Sequence, residues 1–490
     1  AVTTGVQNTL IGGLAGDALT TGDGCVAIGF EALSTEDGNG NSVAVGRQAL
    51  RTQNAGTEAY NVAVGNGAGY SITTGIQNTF IGGFSGDATT DADYNVGVGV
   101  GSLGANTIGS RSVALGTNTL FKQNPATAVD MHNVAVGHHA AFELTTGVQN
   151  VLVGSHSGDA ITTGRENTAV GYASLSACTT AAGNNAFGWG AMLSTTTGYA
   201  SQAMGVSALG SQTTGYSNVA IGHVSGQYIS TGYANTFIGS GAGTGVTGAK
   251  LTGHENTAIG SGAGNDLQGS AGDNTFLGAN AGGQVTTGSY NILLGHDAGT
   301  HDYPITTGLN NIIIGAFADV PSATGDDAIV MGYNVTGVGA DNFTLGRGTT
   351  DSNIAFGATS ITAPSDQRYK EEISDATAGL AFIKDLRPVT FKWKKEKDVP
   401  SDHPAYKEGS DKRVMLSNGE TNHGFIAQEI KTAIDNHSEI KDGFRMWSEQ
   451  GLDEDGNSTG GRQRLGSVSL IPMLVKAIQE LEARIATLEG

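Results

Sequence analysis

Ser365 and Lys370 stand five residues apart in "SDQRYKEEI", and these two residue types together can do nucleophilic chemistry. A serine hydroxyl is a weak nucleophile until a base removes its proton. A lysine amine can be that base only where loss of solvent lowers its hold on its own proton. Taken alone, the pair has a plainer reading, a turn serine beside a solvated lysine. The surrounding chain has to decide, because the pair sits where the sequence changes character.

The chain has 490 residues with 77 Gly, 8 Pro, 2 Cys and a formal charge of −20. Residues 1–364 hold only 7 Lys/Arg against 23 Asp/Glu, whereas residues 365–490 hold 18 against 22. Abundant glycine with little proline and no three-residue period excludes collagen. The acidic balance argues against nucleic acid as a partner, since phosphates call for Lys and Arg. No stretch reaches the ~18 apolar residues of a membrane span, so no membrane insertion is expected. The chain opens "AVTTGVQNTL", already inside a repeat, and reads as a fragment with sequence upstream. No cofactor or metal site is expected. "DEDGN" at 453–457 resembles the start of a calcium loop, but its twelfth position is Arg464 instead of Glu, which leaves a hairpin turn.

The first 364 residues are one short theme repeated. "NTLIG" (8–12), "NVAVG" (61–65), "NTFIG" (78–82), "NTAVG" (167–171) and "NTAIG" (256–260) are copies of a unit whose closing glycine recurs 21 times between Gly12 and Gly357, and 13 of the 20 intervals are 17 residues. Such a period marks a solenoid. The residue before the glycine is apolar in every copy, which predicts a stacked core column. The residue two earlier favours Val, Thr or Ile, as a strand does. Asn fills the fourth position before the glycine in 16 of the 21 copies, and an Asn at one place in every coil can build an amide ladder along the stack. Small residues three places after the glycine let backbones approach at a corner. The expected fold is therefore an all-β rod over residues 1–364, a parallel β-roll or β-solenoid of 17-residue rungs. At ~4.8 Å per rung it would be on the order of 100 Å long. Longer intervals become inserted loops. Cys25 and Cys178 lie too many rungs apart to form a disulfide. Adjacent His138 and His139 should point opposite ways from a strand end, and Trp189 should pack within its rung.

The N-x-x-apolar-Gly pattern resembles the β-roll heads of trimeric autotransporter adhesins and the shafts of phage tail fibres. Those families imply three chains side by side. Residues 365–490 follow a different grammar, that of a small α+β domain. "SDATAGLAFIKDLRP" reads as a helix capped by Ser374 or Asp375 with Leu380, Ile383 and Leu386 on one face. "VTFKWK" alternates as a strand, and "HGFIAQEIKTAI" reads as a strand leading into a helix. The tail predicts a helix over 470–489 with Ile471, Ile478 and Ile485 at one heptad position and Leu474, Leu481 and Leu488 at the other, a coiled-coil seam.

"SDQRYKEEI", "LRPVTFKWK", "HGFIAQEI" and "LIPMLVKAIQELEARI", in that order, resemble the self-cleaving intramolecular chaperone at the C-terminus of phage tailspikes and tail fibres, the endosialidase type. The resemblance implies a homotrimer assembled through this domain, which then releases itself with a Ser–Lys dyad. Matched residue by residue, the dyad is Ser365 and Lys370 and the cut adjoins Ser365, at Ser365–Asp366 in preference to Pro364–Ser365. The implied protein is a virion tail fibre that binds a host surface receptor such as a glycan, with no enzymatic activity in the rod itself. The alternative is a cellular trimeric surface adhesin using the same module, displayed on the extracellular surface.

Overall fold

The rungs form because each 17-residue unit carries one short strand, two tight corners and a turn, in an order that returns the chain to its own start one layer on. The computed structural model describes residues 2–358, 361–362, 365, 367–401, 403, 405–415, 419–441, 444, 446–449 and 463–489. Two units result, Ala1–Pro364 and Ser365–Gly490.

In the first unit the strands, mostly three residues long, stack into one 21-stranded sheet. Equivalent residues pair in parallel register, Val26 with Val43 and Val134 with Val151. The unit is a β-solenoid of 17-residue rungs, as the period requires. Its last repeat departs from the pattern: the first three residues of "NIAFG" (353–357) end the strand Thr350–Ala355, which runs antiparallel to Asn342–Arg347. The final closing glycine therefore follows a returning strand and does not close another parallel rung. The inserted segment "KQNPATAVDM" also gains order, since its Val129–Asp130 pairs with Gly109–Ser110.

The core column is not where the apolar pattern placed it. Side chains alternate across a strand, and the one facing inward is the residue two before the glycine: Ala27, Ala44, Phe80, Leu152 and Phe237 are all 0–1% exposed. The residue just before the glycine faces out, with Ile11 58% and Met204 53% exposed. Unbroken apolarity was read as burial, but a coil this narrow has room for only one inward residue per strand.

In several rungs that inward residue is matched in size by one six positions on. Ala27 goes with a buried Leu33, Ala114 with Leu120 and Ala169 with Leu175, whereas Ala63, Ala220 and Ala258 have Gly69, Gly226 and Gly264 there. Where the strand supplies Phe or Leu, the corner is glycine. A Cβ on Gly86 would lie 2.5 Å from the Phe80 ring, and one on Gly158 would lie 2.9 Å from Leu152. The closing glycines are required for another reason. Gly171 has φ +137, and a Cβ there would meet the Gly188 carbonyl oxygen of the next rung at 2.4 Å.

The Asn column is buried and bonds more to backbone than to itself. Asn78 N–H donates to Asn61 Oδ1 (2.8 Å), and Asn78 Nδ2 donates to the Ala92 carbonyl (2.8 Å) as well as to Asn61 Oδ1 at 3.3 Å. Ser replaces Asn at 42, 112 and 201, and in each case a buried Gln eleven residues on supplies the missing amide. Asn61, Asn133 and Asn218 donate to Gln53, Gln123 and Gln212 at 2.9, 3.0 and 2.9 Å. Cys25, which also stands in this column, and Cys178 are buried free thiols, and burial pushes the Cys178 thiol up to about 11.

Two surface expectations are corrected. The rings of His138 and His139 stack, with centroids 4.0 Å apart, because His139 (φ 56) has left the strand and its alternation. Trp189 is 54% exposed at the corner beyond its strand and lies parallel to Tyr172, centroids 6.4 Å apart.

The second unit packs three helices, α1 (Leu380–Asp385), α2 (Ala427–Asp435) and α3 (Ile471–Glu489), with the hairpin-like pairs Val389–Phe391/Asn422–Gly424 and Trp447–Glu449/Gln463–Leu465. Its core gathers Phe382, Ile430, Ala433, Ile434, Met446 and Leu470. Neither Ser374 nor Asp375 caps α1. The helix starts after Gly379, and Glu480 of α3 accepts the Leu380 N–H at 2.9 Å.

Candidate functional site

One short turn brings the predicted pair together. Gln367–Tyr369 form a 3-10 helix closed by Lys370 N–H donating to the Gln367 carbonyl at 3.0 Å. The tight pitch of that turn sets Lys370 Nζ 2.7 Å from Ser365 Oγ, to which it donates. This is the resting polarity. General-base action needs the reverse, a free amine accepting the hydroxyl proton. Both side chains are exposed, and a lysine acting as a base would need the solvent exclusion that this exposure does not give. Asp366 and Pro364, the flanking residues of the expected cut, lie outside the described residues, as does "DEDGN".

Elsewhere in the same unit, side chains from different sequence motifs contact one another. Arg387 of "LRPVTF" forms a two-pronged pair with Glu429 of "GFIAQE", Nε to Oε2 2.9 Å, and each charge favours the ionised form of the other. His437 stands between two carboxylates, Nε2 2.9 Å from Asp385 and Nδ1 3.1 Å from Glu439, and edge-on to Phe382. The hydrogen bond to Asp385, with Glu439 adding to it, raises the imidazole pKa above its ordinary value. Lys395 and Lys397 converge on Asp411 at 2.6 and 2.7 Å, and the first hydrogen bond leads in holding its carboxyl down at about 2. No single motif reveals these pairs, because the partners are 42, 52 and 16 residues apart in sequence.

The heptad residues of α3 do not pack on their own domain. Ala477 and Met473 take that role, while Ile471, Ile478, Ile485 and Leu488 are 56, 65, 53 and 87% exposed. On the rod, a ring nitrogen of His254 and carboxylate oxygens of Glu255 and Asp273 lie within 4.8 Å of one another. Residues of this kind can hold a divalent ion. The grouping escapes a motif search because it spans two rungs. No helix among the described residues is long and apolar enough to cross a membrane.

No curated protein and no solved structure matches the chain. Over residues 365–439, from the serine of the pair to the carboxylate beyond His437, the chain matches the family described as chaperone of endosialidase, so that a domain of this kind follows the β-solenoid rod.

Proposed function

We propose that the chain is a trimeric fibre protein whose C-terminal domain brings three copies together, holds them while the rods form, and then removes itself by cutting at Ser365–Asp366. The observation that carries this reading is the 2.7 Å contact of Lys370 Nζ with Ser365 Oγ at the first residue of the matched domain. The exposed heptad seam of α3 supports it, since a helix with Ile and Leu facing water wants a partner helix. Packing of three such domains would exclude water from the pair and free the lysine amine. The amine then takes the serine proton, and the alkoxide adds to the carbonyl of the Ser365–Asp366 bond of a neighbouring chain in the trimer, because attack on its own carbonyl would close a strained four-membered lactone. The Asp366 amine leaves with the proton held by the lysine, and water hydrolyses the resulting ester. One water is consumed and one peptide bond is lost.

A virion fibre that attaches to a host surface fits a long rod with a removable assembly domain. A cellular adhesin using the same module is the second reading, and the adhesin-like repeat favours it. The test is to express the full chain beside Ser365→Ala and Lys370→Ala and compare intact masses and unboiled gels. Loss of the segment from Asp366 to Gly490 in the wild type, with both variants left whole and trimeric, is the expected result. A wild type that stays whole removes the catalytic assignment, and a monomer removes the assembly reading.

A further inference from the structure

The strand residues one and three positions before each closing glycine face away from the coil, and none of them carries a charge in any of the 21 repeats. Ile11, Ile81, Met204, Leu277 and Met331 are 58, 39, 53, 51 and 43% exposed. The equivalents in most other rungs, such as Val62, Val64, Val134 and Val136, are half-buried. The corners of the same rungs, by contrast, hold Glu31, Arg47, Lys122 and Asp159. Two such side chains per rung along the stack leave on the order of 1,500 Å² of mostly apolar surface in water. A monomer rarely exposes more than a few hundred Å² in one patch, and a standard interface needs ~800 Å² per partner.

We propose that this strand face packs against the same face of further copies of the chain, parallel and in register, and that Asn185 and Gln202 set the register. The inference rests on the trimer reading above and names its contact surface. A second copy is the occupant that the observations favour. The face is a straight line repeating at the rung spacing along the whole stack, and a surface of matching length and period is another rod. The absence of charge fits self-contact, because a homotypic face opposes like with like.

A line of Val, Ile and Thr says little about register, since a slip of one rung returns nearly the same contacts. The line is broken once. Asn185 and Gln202 occupy the third position before the glycine in adjacent rungs, with Asn185 Nδ2 donating to Gln202 Oε1 at 2.6 Å. Phe187 and Met204 stand beside them, 38 and 53% exposed. In register, these amides from each chain meet one another. After a slip of one rung, Gln202 of one chain faces Val219 and Asn185 of the other faces a Thr168 methyl, so two amides lose partners they cannot replace away from water. A lone polar position fixes register in coiled coils in the same way.

Cysteine cross-linking of the full chain tests both parts. Cys25 and Cys178 are buried and give no background. Val136→Cys and Val170→Cys, introduced singly and oxidised, should give covalent dimers on non-reducing gels, and Thr146→Cys on a turn should give none. Val98→Lys should shift the mass in light scattering from trimer toward monomer. A trimeric wild type with no strand-face cross-link and no effect of Val98→Lys overturns the proposed surface while leaving the assembly reading intact. A monomeric wild type overturns both. For register, chains with Val136→Cys are co-expressed with chains with Val153→Cys, and same-site products should dominate. Asn185→Val with Gln202→Val should raise the mixed product several-fold, and an unchanged ratio removes the register role.

Discussion

Phe80 occupies a coil whose corner, Gly86, must stay empty, and this pairing shows how tightly single residues are specified in the rod. Gly86 has φ +57 and would place a Cβ 2.5 Å from the Phe80 ring. Gly86→Ala adds left-handed strain to overpacking, which together cost about 3 kcal/mol or more. Phe80→Ala combined with Gly86→Leu recreates the Ala27/Leu33 arrangement and should recover most of that loss in chemical denaturation. Histidines give a second test, with opposite signs in the two units. The carboxylates of Asp385 and Glu439 raise the His437 pKa, so the folded state holds this proton more tightly than the unfolded chain. The stabilisation is fully present below about pH 6.5 and is lost as pH rises through the folded value. Denaturant resistance of the C-terminal unit should therefore fall as pH rises above about 6.5, and His437→Gln should flatten the profile. In the rod, burial first and then the neighbouring His138 and His156 lower the His139 pKa. Its contribution is present above about pH 6.5 and is lost as pH falls through the folded value. Titration of the two imidazoles by NMR should bracket the ordinary histidine midpoint, His437 above it and His139 below.

Within a rung, the buried polar column behaves as a unit that tolerates change only when the hydrogen bonds still close. At Ser201 the serine oxygen accepts the Asn218 N–H at 3.2 Å, but Asn218 Nδ2 needs Gln212 Oε1 at 2.9 Å. Gln212→Leu leaves that buried amide with one of its two hydrogen bonds, to the Gly232 carbonyl at 2.8 Å, and should cost about 1–2 kcal/mol. Adding Ser201→Asn restores the majority pattern and should return the melting temperature toward wild type. This Ser–Gln exchange was visible in the sequence, at 42 and 53, 112 and 123, and 201 and 212, yet its meaning needs the coil that brings the two together. The solenoid and its 17-residue rung were legible because a period repeated 21 times overrides local ambiguity. The facing of the strand was misread because hydrophobicity alone cannot tell a core from a surface that awaits a partner. In the C-terminal unit the helices and strands were legible from their patterns. The α1 cap was not, because Gly379 leaves space that a carboxylate from α3 fills: a Cβ there would stand 2.6 Å from Glu480 Oε1. Ser365 and Lys370 were named from a resemblance, and spacing alone could not have set the 3-10 turn that joins them.

For the whole molecule the difficulty is register. Parallel strands with nearly identical neighbours form slowly, through contacts distant in sequence, and a shifted stack is a near-degenerate minimum. An assembly domain that sets the ends of three chains together before the rods close removes most of those alternatives. If the domain removes itself as proposed, the rod would then keep its fold through the height of the unfolding barrier and would have no route back after denaturation. This separates two materials of the same rod sequence. The uncut Ser365→Ala trimer, unfolded in guanidinium and diluted, should regain its unboiled-gel trimer band and its melting profile. The cut rod, treated identically, should return as aggregate or mis-registered species, and its apparent melting temperature should rise with scan rate. Equal refolding of the two would mean that the rod contains its own register, and the C-terminal domain would then be dispensable for assembly. The Asn185→Val, Gln202→Val variant sharpens the comparison: uncut, it should still refold in register because the domain supplies the alignment, whereas its cut form should do worse than the cut wild type.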